Sequence, residues 1–470
     1  MMHFHLKSGG VTTVIKQQAA VLRAAGHEVL IVCGESPAGA VPAPVTVVPG
    51  LGYEDAPRDR AKAQAIRDDV LGALARAWPG RPVDVLHVHN PTLAKNRNLQ
   101  QVLKTLQRDG VPLLCQIHDL AEDGRPGAYF DEPYVADCHY ATVNGRDRNL
   151  LIQAGLDVRG VHYLPNPIAP LPSSAATANA PPAPSPVLYP VRAIRRKNIG
   201  EAIFLHLFDP SKAPLYITLP PNSDQDLPAY RMWQAFAARH ELKVHFEAGL
   251  HHDFTGLVAC SRFWLTTSIT EGFGFTFLDA WPAGKALWGR KLADICEDFE
   301  VRGVRLADLY DLILVPWDMI DGARLLRLMT DALNDALSSY GRADREAQAV
   351  RFRSWFGVRE GVDFGLLDEG AQRTVLDRVL SDQSALNRLV FLNPFLAAPG
   401  PAAGTATRIA QNKTAVLRHF NTERYARRLT AAYDAVGNRP LTQHIDKRVL
   451  LDAFLSPERF TLLKWGAYHE

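Results

Sequence analysis

The sequence predicts an α/β protein of two parallel-sheet domains, completed by a mainly helical insertion and carboxyl-terminal helices. Three observations predict it. Short Val-, Ile- and Leu-rich runs alternate with amphipathic stretches through residues 1–166, a proline- and alanine-rich interruption follows, and the alternation resumes through 187–305. Strand, helix, strand in succession calls for a parallel sheet with helices on its faces. Length agrees, because 470 residues exceed one ordinary core and about 100–200 residues per domain gives two or three domains.

In the first domain the strand candidates are HEVLIVCG (27–34), VDVLHVHN (83–90), VPLLCQIHD (111–119) and CHYATVNG (138–145), each short and bounded by turn residues. Between them lie helical patterns such as VTTVIKQQAAVLRAAG (11–26), which places Val14, Ile15, Val21 and Leu22 on one stripe and stops at Gly26. The stretch PNPIAPLPSSAATANAPPAPSPVLYP (165–190) suits neither helix nor central strand, and an extended linker is expected over 167–186. The second domain offers VLYPVRAI (187–194), PLYITLP (214–220), LKVHFEAG (242–249) and SRFWLTTSI (261–269). From 306 to 410 the strand signal fades and patterns such as RLLRLMTDALNDALSSYG predict a mainly helical insertion, ending near the break LAAPGPAAGTA. Residues 411–470 are expected to supply closing helices and a tail.

Composition narrows the function classes. Lys plus Arg number 52 against 50 for Asp plus Glu, so a net charge of +2 gives no global attraction for nucleic acid or anionic lipid, and any charged site is local. No run of about 18 apolar residues is available to span a bilayer, and MMHFHLKSGG lacks the apolar core of a secretory signal. Cys33, Cys115, Cys138, Cys260 and Cys296 form no C-x-x-C pair and no metal-ligand rhythm. Reduced core cysteines in a cytoplasmic protein are expected.

Three stretches could carry chemistry. ITEGFGFTFLDAW (269–281) sets Glu271 and Asp279 eight residues apart around Gly272 and Gly274. SRFWLTTSI reads as a strand and FTFLDAW as the start of a helix, so EGFG is a turn at the carboxyl end of a parallel strand, where open α/β sheets bind ligands. The glycines permit tight backbone geometry, and the helix start offers unpaired N–H groups to an anion. An acid beside a phosphate repels it, so both carboxylates are expected to accept hydrogen bonds from neutral hydroxyls on either side. Sugar hydroxyls flanking a diphosphate fit, although the residues alone also admit a plain strand–turn–helix with a helix-dipole acid. In VRAIRRKN, Arg192 and Lys197 stand five apart after the first strand beyond the linker, suited to neutralising a departing diphosphate without a metal or to a solvated basic turn. In KSGGVTTV, Gly9 and Gly10 join the first strand to its helix, where glycine lets the backbone approach a ligand.

Taken in order, these motifs resemble the retaining GT-B glycosyltransferases, most closely glycosyltransferase family 4. That family pairs an amino-terminal glycine–glycine loop with a second domain carrying an arginine, a lysine five positions on and an E-x7-E segment. Lesser landmarks also match in order: HVHN (87–90), QIHD around His118, LPNPI around Asn166, and HFNTERYARRLTAAYDAV, which is similar to the family's closing helix. The resemblance covers about residues 1–300 and 413–436. It implies two Rossmann-like domains whose parallel sheets face a cleft. It further implies transfer of a hexose from a nucleotide-diphosphate sugar to a small-molecule, glycan or lipid-linked hydroxyl acceptor, with retention and without cofactor or metal. On this reading Arg192, Lys197 and the amides of Gly274, Phe275 and Thr276 stabilise the diphosphate, Glu271 holds sugar hydroxyls, and Asp279 holds the ribose. Gly9 and Gly10 approach the phosphates as the domains close, and His118 hydrogen-bonds the reacting sugar.

Two departures stand out. The second acid is Asp279 rather than glutamate, shorter by about 1.5 Å of reach. The segment after it, AWPAGKALWGRKLADI, lacks the proline-containing strand of many relatives. The histidines His87 and His89 alternate along one strand and share a face, which suits packing better than metal binding. Asp224-Gln225-Asp226 has the D-x-D form of metal-dependent transferases of another fold, but within PPNSDQDLP it reads as a solvated turn. A catalytically silent scaffold of the same fold, or a nucleotide-sugar 2-epimerase, are the alternatives; intact Glu271, Lys197, Arg192 and His118 oppose the first, and no elimination pattern supports the second.

Overall fold

The computed structural model describes residues 1–7, 9–37, 39–170, 185–357, 359–402, 404–438 and 440–468. It divides into two compact units: Met1–Pro167 with Phe420–Phe454, and Ile168–His419 with Leu455–Glu470. The closing segment read over 411–470 is therefore shared, with the helices Thr422–Asn438 and Lys447–Phe454 in unit 1 and Leu462–Trp465 in unit 2. Most of the expected linker, from 171 to 184, lies outside the described residues.

Unit 1 is built on a seven-stranded parallel sheet of β1 (Met2–His3), β2 (Ile31–Cys33), β3 (Val45–Val47), β4 (Leu86–His89), β5 (Leu113–Ile117), β6 (His139–Thr142) and β7 (Val161–Tyr163). The spatial order is β3-β2-β1-β4-β5-β6-β7, so the chain winds outward from β1 and then returns to its other side. All four quoted apolar runs contain a strand. The helix Gly10–Ala24 buries Val14, Ile15, Val21 and Leu22 as the stripe requires, and Gly26 takes φ +87° beyond its end. The helix Thr422–Asn438 buries Tyr425, Leu429 and Ala432, spaced at helical intervals, in the same core as Ile15, Ile31 and Leu114.

Unit 2 repeats the design with β8 (Val187–Arg192), β9 (Leu215–Leu219), β10 (Val244–His245), β11 (Phe263–Thr266) and β12 (Leu287–Gly289), in the parallel order β10-β9-β8-β11-β12. β8 and β11 pair with Val187 opposite Phe263. The register of β8 against β9 shifts between Tyr189 and Arg192, at Pro190, which has no N–H for the ladder. Residues 306–410 are mainly helical, including Gly322–Ser339, Glu369–Ser381 and Gln383–Leu392. They also contain an antiparallel pair that the helical reading missed, β13 (Leu314–Pro316) with β14 (Gly361–Asp363). This segment packs on the Rossmann-like sheet's helix Ile199–Phe208 through Phe364, whose ring lies 4.8 Å from that of Phe204. A buried Arg290 ties it further, paired with Glu201 and Asp363 at 2.6 Å each. Among the described residues no helix is long and apolar enough to cross a membrane.

Candidate active site

In each sheet the strand order reverses once, between β1 and β4 in unit 1 and between β8 and β11 in unit 2. The loops leaving the two strands on either side of such a reversal diverge, opening a crevice at the carboxyl ends of the strands. Several of the singled-out residues fall there: Gly9 and Gly10 follow β1, whereas His118 follows β5, one strand beyond the reversal. Lys197 follows β8, and Glu271 follows β11.

These two meet. Lys197 Nζ donates to Glu271 Oε1, and with side-chain exposures of 13% and 10% the pair is no solvated surface bridge. A second cation, Arg196, stands with Nη1 3.5 Å from Glu271 Oε2 and donates to the Thr270 carbonyl at 3.1 Å. Burial pushes the Glu271 carboxyl up, but the Lys197 and Arg196 charges and hydrogen bonds from Lys197 and Ser268 outweigh it and hold the group below the usual range. Burial lowers Lys197, opposed by Glu271. The Lys197 backbone is fixed from the sheet side: its carbonyl accepts from Tyr189 Oη at 2.6 Å and from Thr267 Oγ1 at 3.1 Å. The five-residue spacing to Lys197 selects Arg192. Arg192 is exposed and donates to the Pro220 carbonyl at 2.9 Å, so its guanidinium is not part of the Lys197–Glu271 cluster. The signal that could have found Arg196 is the doubled arginine next to the lysine.

The EGFG turn is as tight as its glycines suggest. Gly274 takes φ +82°, and a Cβ there would stand 2.8 Å from the Phe277 ring, so glycine is required twice over. Phe275, at the head of the following turn, is 41% exposed, whereas Phe277 and Leu278 are buried. The helix is one turn, Thr276–Asp279, and not the longer one expected from FTFLDAW. Pro282 has no N–H to continue the ladder, and Gly284 at φ +72° turns the chain. Asp279 closes this turn, its carboxyl hydrogen-bonded by no group among the described residues. Burial alone pushes it up to about 7.

In unit 1, β1 ends before a loop whose Lys7 carbonyl accepts from Thr12 Oγ1, in the first turn of the helix Gly10–Ala24, at 2.6 Å. Gly9 and Gly10 follow, and a Cβ at either would meet nothing within 4 Å. Gly9 is extended, so the fold itself gives no reason for glycine at these positions. His118, just past β5, is buried and held on two sides. Asn90, at φ +52°, accepts the His118 amide on Oδ1 at 2.8 Å, and His118 Nε2 lies 3.0 Å from His89 Nδ1. The rings of His87, His89 and His118 stack in sequence at 4.4 and 5.3 Å, and His87 Nδ1 meets Tyr433 Oη at 3.0 Å. Burial lowers His118 to about 4, so at neutral pH it is an uncharged hydrogen-bonding group. Asp226, read as solvated, instead accepts the Arg195 amide at 2.9 Å, while Asp224 is exposed. Among the described residues no three His, Cys, Asp or Glu side chains are grouped to hold a metal ion.

The glycosyl transferase 4-like domain family matches residues 9–167. The chain is 26% identical over 352 residues to mannosylglucosyl-3-phosphoglycerate synthase of Petrotoga mobilis, covering 67% of this chain and 68% of that protein. Among solved structures it is similar to a sucrose-phosphate synthase from Thermosynechococcus elongatus, with TM-score 0.51 and 14% identity over 92% of this chain and 94% of that one. It is likewise similar to Anabaena HepE in complex with UDP-glucose, with TM-score 0.51 and 13% identity over 92% and 98% of the two chains.

Proposed function

We propose that the chain is a GT-B glycosyltransferase of the family 4-like type and that it moves a hexose from a nucleoside-diphosphate sugar to a hydroxyl acceptor with retention of anomeric configuration. The observation that carries this is the meeting of Lys197, Arg196 and Glu271 at the strand-order reversal of unit 2. Two cations and one carboxylate beside a glycine turn suit a diphosphate bearing sugar hydroxyls, because each charge has a counterpart on such a ligand. The UDP-glucose bound by HepE supports a donor of this kind.

In the proposed reaction the bond between the anomeric carbon and the diphosphate oxygen breaks while the acceptor oxygen bonds the same carbon on the same face. The acceptor proton leaves with the released nucleoside diphosphate or passes to solvent, so the products are glycoside, diphosphate and proton. Charge builds on the leaving oxygen, and Lys197 offsets it more in the transition state than in the bound donor. Arg196, the amides of Gly274, Phe275 and Thr276, and Arg192 once its guanidinium leaves the Pro220 carbonyl are assigned to the same diphosphate, Glu271 to the sugar hydroxyls and Asp279 to the ribose. In unit 1, Gly9 and Gly10 are assigned to the phosphates by their bare backbone. His118, uncharged, is assigned to a sugar hydroxyl as a hydrogen-bond partner. The acceptor class is a small-molecule, glycan or lipid-linked alcohol.

With basic side chains on the leaving group, transfer is expected to persist in EDTA. A panel of UDP-, ADP- and GDP-hexoses with EDTA present tests this, the product's anomeric proton coupling being read by NMR. A product with the donor's configuration is expected. An inverted product, or activity restored only by Mg²⁺ or Mn²⁺, overturns the respective half of the proposal.

A further inference from the structure

The turn that carries Lys197 is gripped from behind by the helical insertion. The turn Arg195–Lys197 ends at Asn198, whose φ of +54° lies in the left-handed region that asparagine tolerates better than most side chains. Both ends of the Asn198 side chain are engaged. Its Nδ2 donates to Glu201 Oε2 at 2.7 Å, and its Oδ1 accepts from Gln372 Nε2 at 2.9 Å. Gln372 lies in the insertion's helix Glu369–Ser381 and is fully buried. Its Nε2 also donates to the Phe364 carbonyl at 3.2 Å, while its Oε1 has no partner among the described residues. A buried acceptor without a hydrogen bond is a cost that an apolar residue of the same size would avoid, so packing alone does not account for glutamine here. The approach is also closer than any side chain at position 200 would allow: a Cβ on Gly200 would stand 2.2 Å from Gln372 Oε1.

Three residues earlier on the same helix, Glu369 receives Arg195 in a bidentate pair at 2.6 and 2.8 Å, with both side chains at most 5% exposed. The two residues flanking the Arg196–Lys197 pair are therefore both anchored to one insertion helix. We propose that Gln372 is a positioning residue for Lys197, acting through Asn198, and that the insertion fixes where the ammonium stands; this rests on the donor-site reading above. Thr267 Oγ1 pins the Lys197 and Asn198 carbonyls from the sheet at 3.1 and 3.0 Å, so the insertion's own hold on the turn is the Arg195–Glu369 pair before it and the Asn198 side chain immediately after Lys197. Losing that restraint lets the turn relax, and a displacement of about 1 Å at a reacting group costs up to about 10²-fold in rate.

The test is a double-mutant cycle of Gln372→Met and Asn198→Gly, the latter keeping a residue that accepts positive φ. It is assayed by nucleoside-diphosphate release from whichever of UDP-glucose, ADP-glucose or GDP-mannose the chain turns over. Each single variant is expected to lower kcat about 10-fold with donor KM within about threefold, and the double variant to lose no more than either alone. A kcat for folded Gln372→Met within about twofold of wild type overturns the proposal, as do losses that multiply to about 100-fold in the double variant. Lys197→Ala run alongside separates the failures: full activity there removes the donor-site reading and the inference with it, whereas an inactive Lys197→Ala beside a fully active Gln372→Met removes the inference alone.

Discussion

Lys197→Ala is expected to lower kcat for sugar transfer by about 10²-fold or more, the scale of losing one preorganised electrostatic stabiliser. The variant stays folded, because Glu271 keeps Arg196 at 3.5 Å as a counter-charge and the turn's backbone remains pinned by Tyr189 and Thr267. Removing one partner of a buried pair can cost about 3–5 kcal/mol when the other charge is left alone, so a lower melting temperature is expected even with Arg196 present. Far-ultraviolet circular dichroism with steady-state kinetics separates these effects. Near-wild-type kcat in a folded Lys197→Ala protein removes this residue from the chemistry.

Asp279 gives the second large effect, on binding and on stability. Contacts to ribose hydroxyls exist equally in bound donor and transition state, so Asp279→Ala is expected to raise donor KM about 10-fold with little change in kcat, matching roughly 1.5 kcal/mol for a charged hydrogen bond. Burial holds this carboxyl at about 7 against 3.8 in an unfolded chain. Folding therefore takes up a proton between these values, so this group's contribution to stability falls as pH rises from about 4 to about 7 and stays low above. The half-buried side chain limits that penalty to a few kcal/mol at most. Asp279→Asn is expected to melt higher than wild type at pH 8, with the gap narrowing toward pH 5. Equal melting at both pH values, together with an unchanged donor KM in Asp279→Ala, leaves Asp279 as a helix-terminal acid with no part in donor binding.

Much of this architecture was legible in the residues because each strand's own composition announces it. HEVLIVCG, VDVLHVHN, VPLLCQIHD, CHYATVNG and the four runs of the second domain each hold a strand. β3 (Val45–Val47) was not legible because it is three half-exposed edge residues behind two prolines, and β12 because Leu-Trp-Gly is too short for a period to show. The β13–β14 pair lay hidden because each strand is only three residues long and the helices Gly322–Ser339 and Arg345–Gly357 separate them. At the site, Lys197 and Glu271 were legible from ordered motifs. Arg196 was not, since spacing favours Arg192 and only the turn's geometry aims one guanidinium at Glu271 and the other at Pro220. Gln372 carried no local signal at all, being 174 residues from the asparagine it holds.

On the proposed reading, the loops after β8 and β11 form a nucleoside-diphosphate site centred on Lys197. Calorimetric titration of the full chain with UDP, ADP and GDP, on wild type and Lys197→Ala, is the decisive experiment. At least one diphosphate is expected to bind wild type and to raise its melting temperature, since ligand at 100 times Kd adds about 2.7 kcal/mol to stability. The same ligand should bind Lys197→Ala at least about 10-fold more weakly. Binding of none of the three, or equal binding to both proteins, would contradict it.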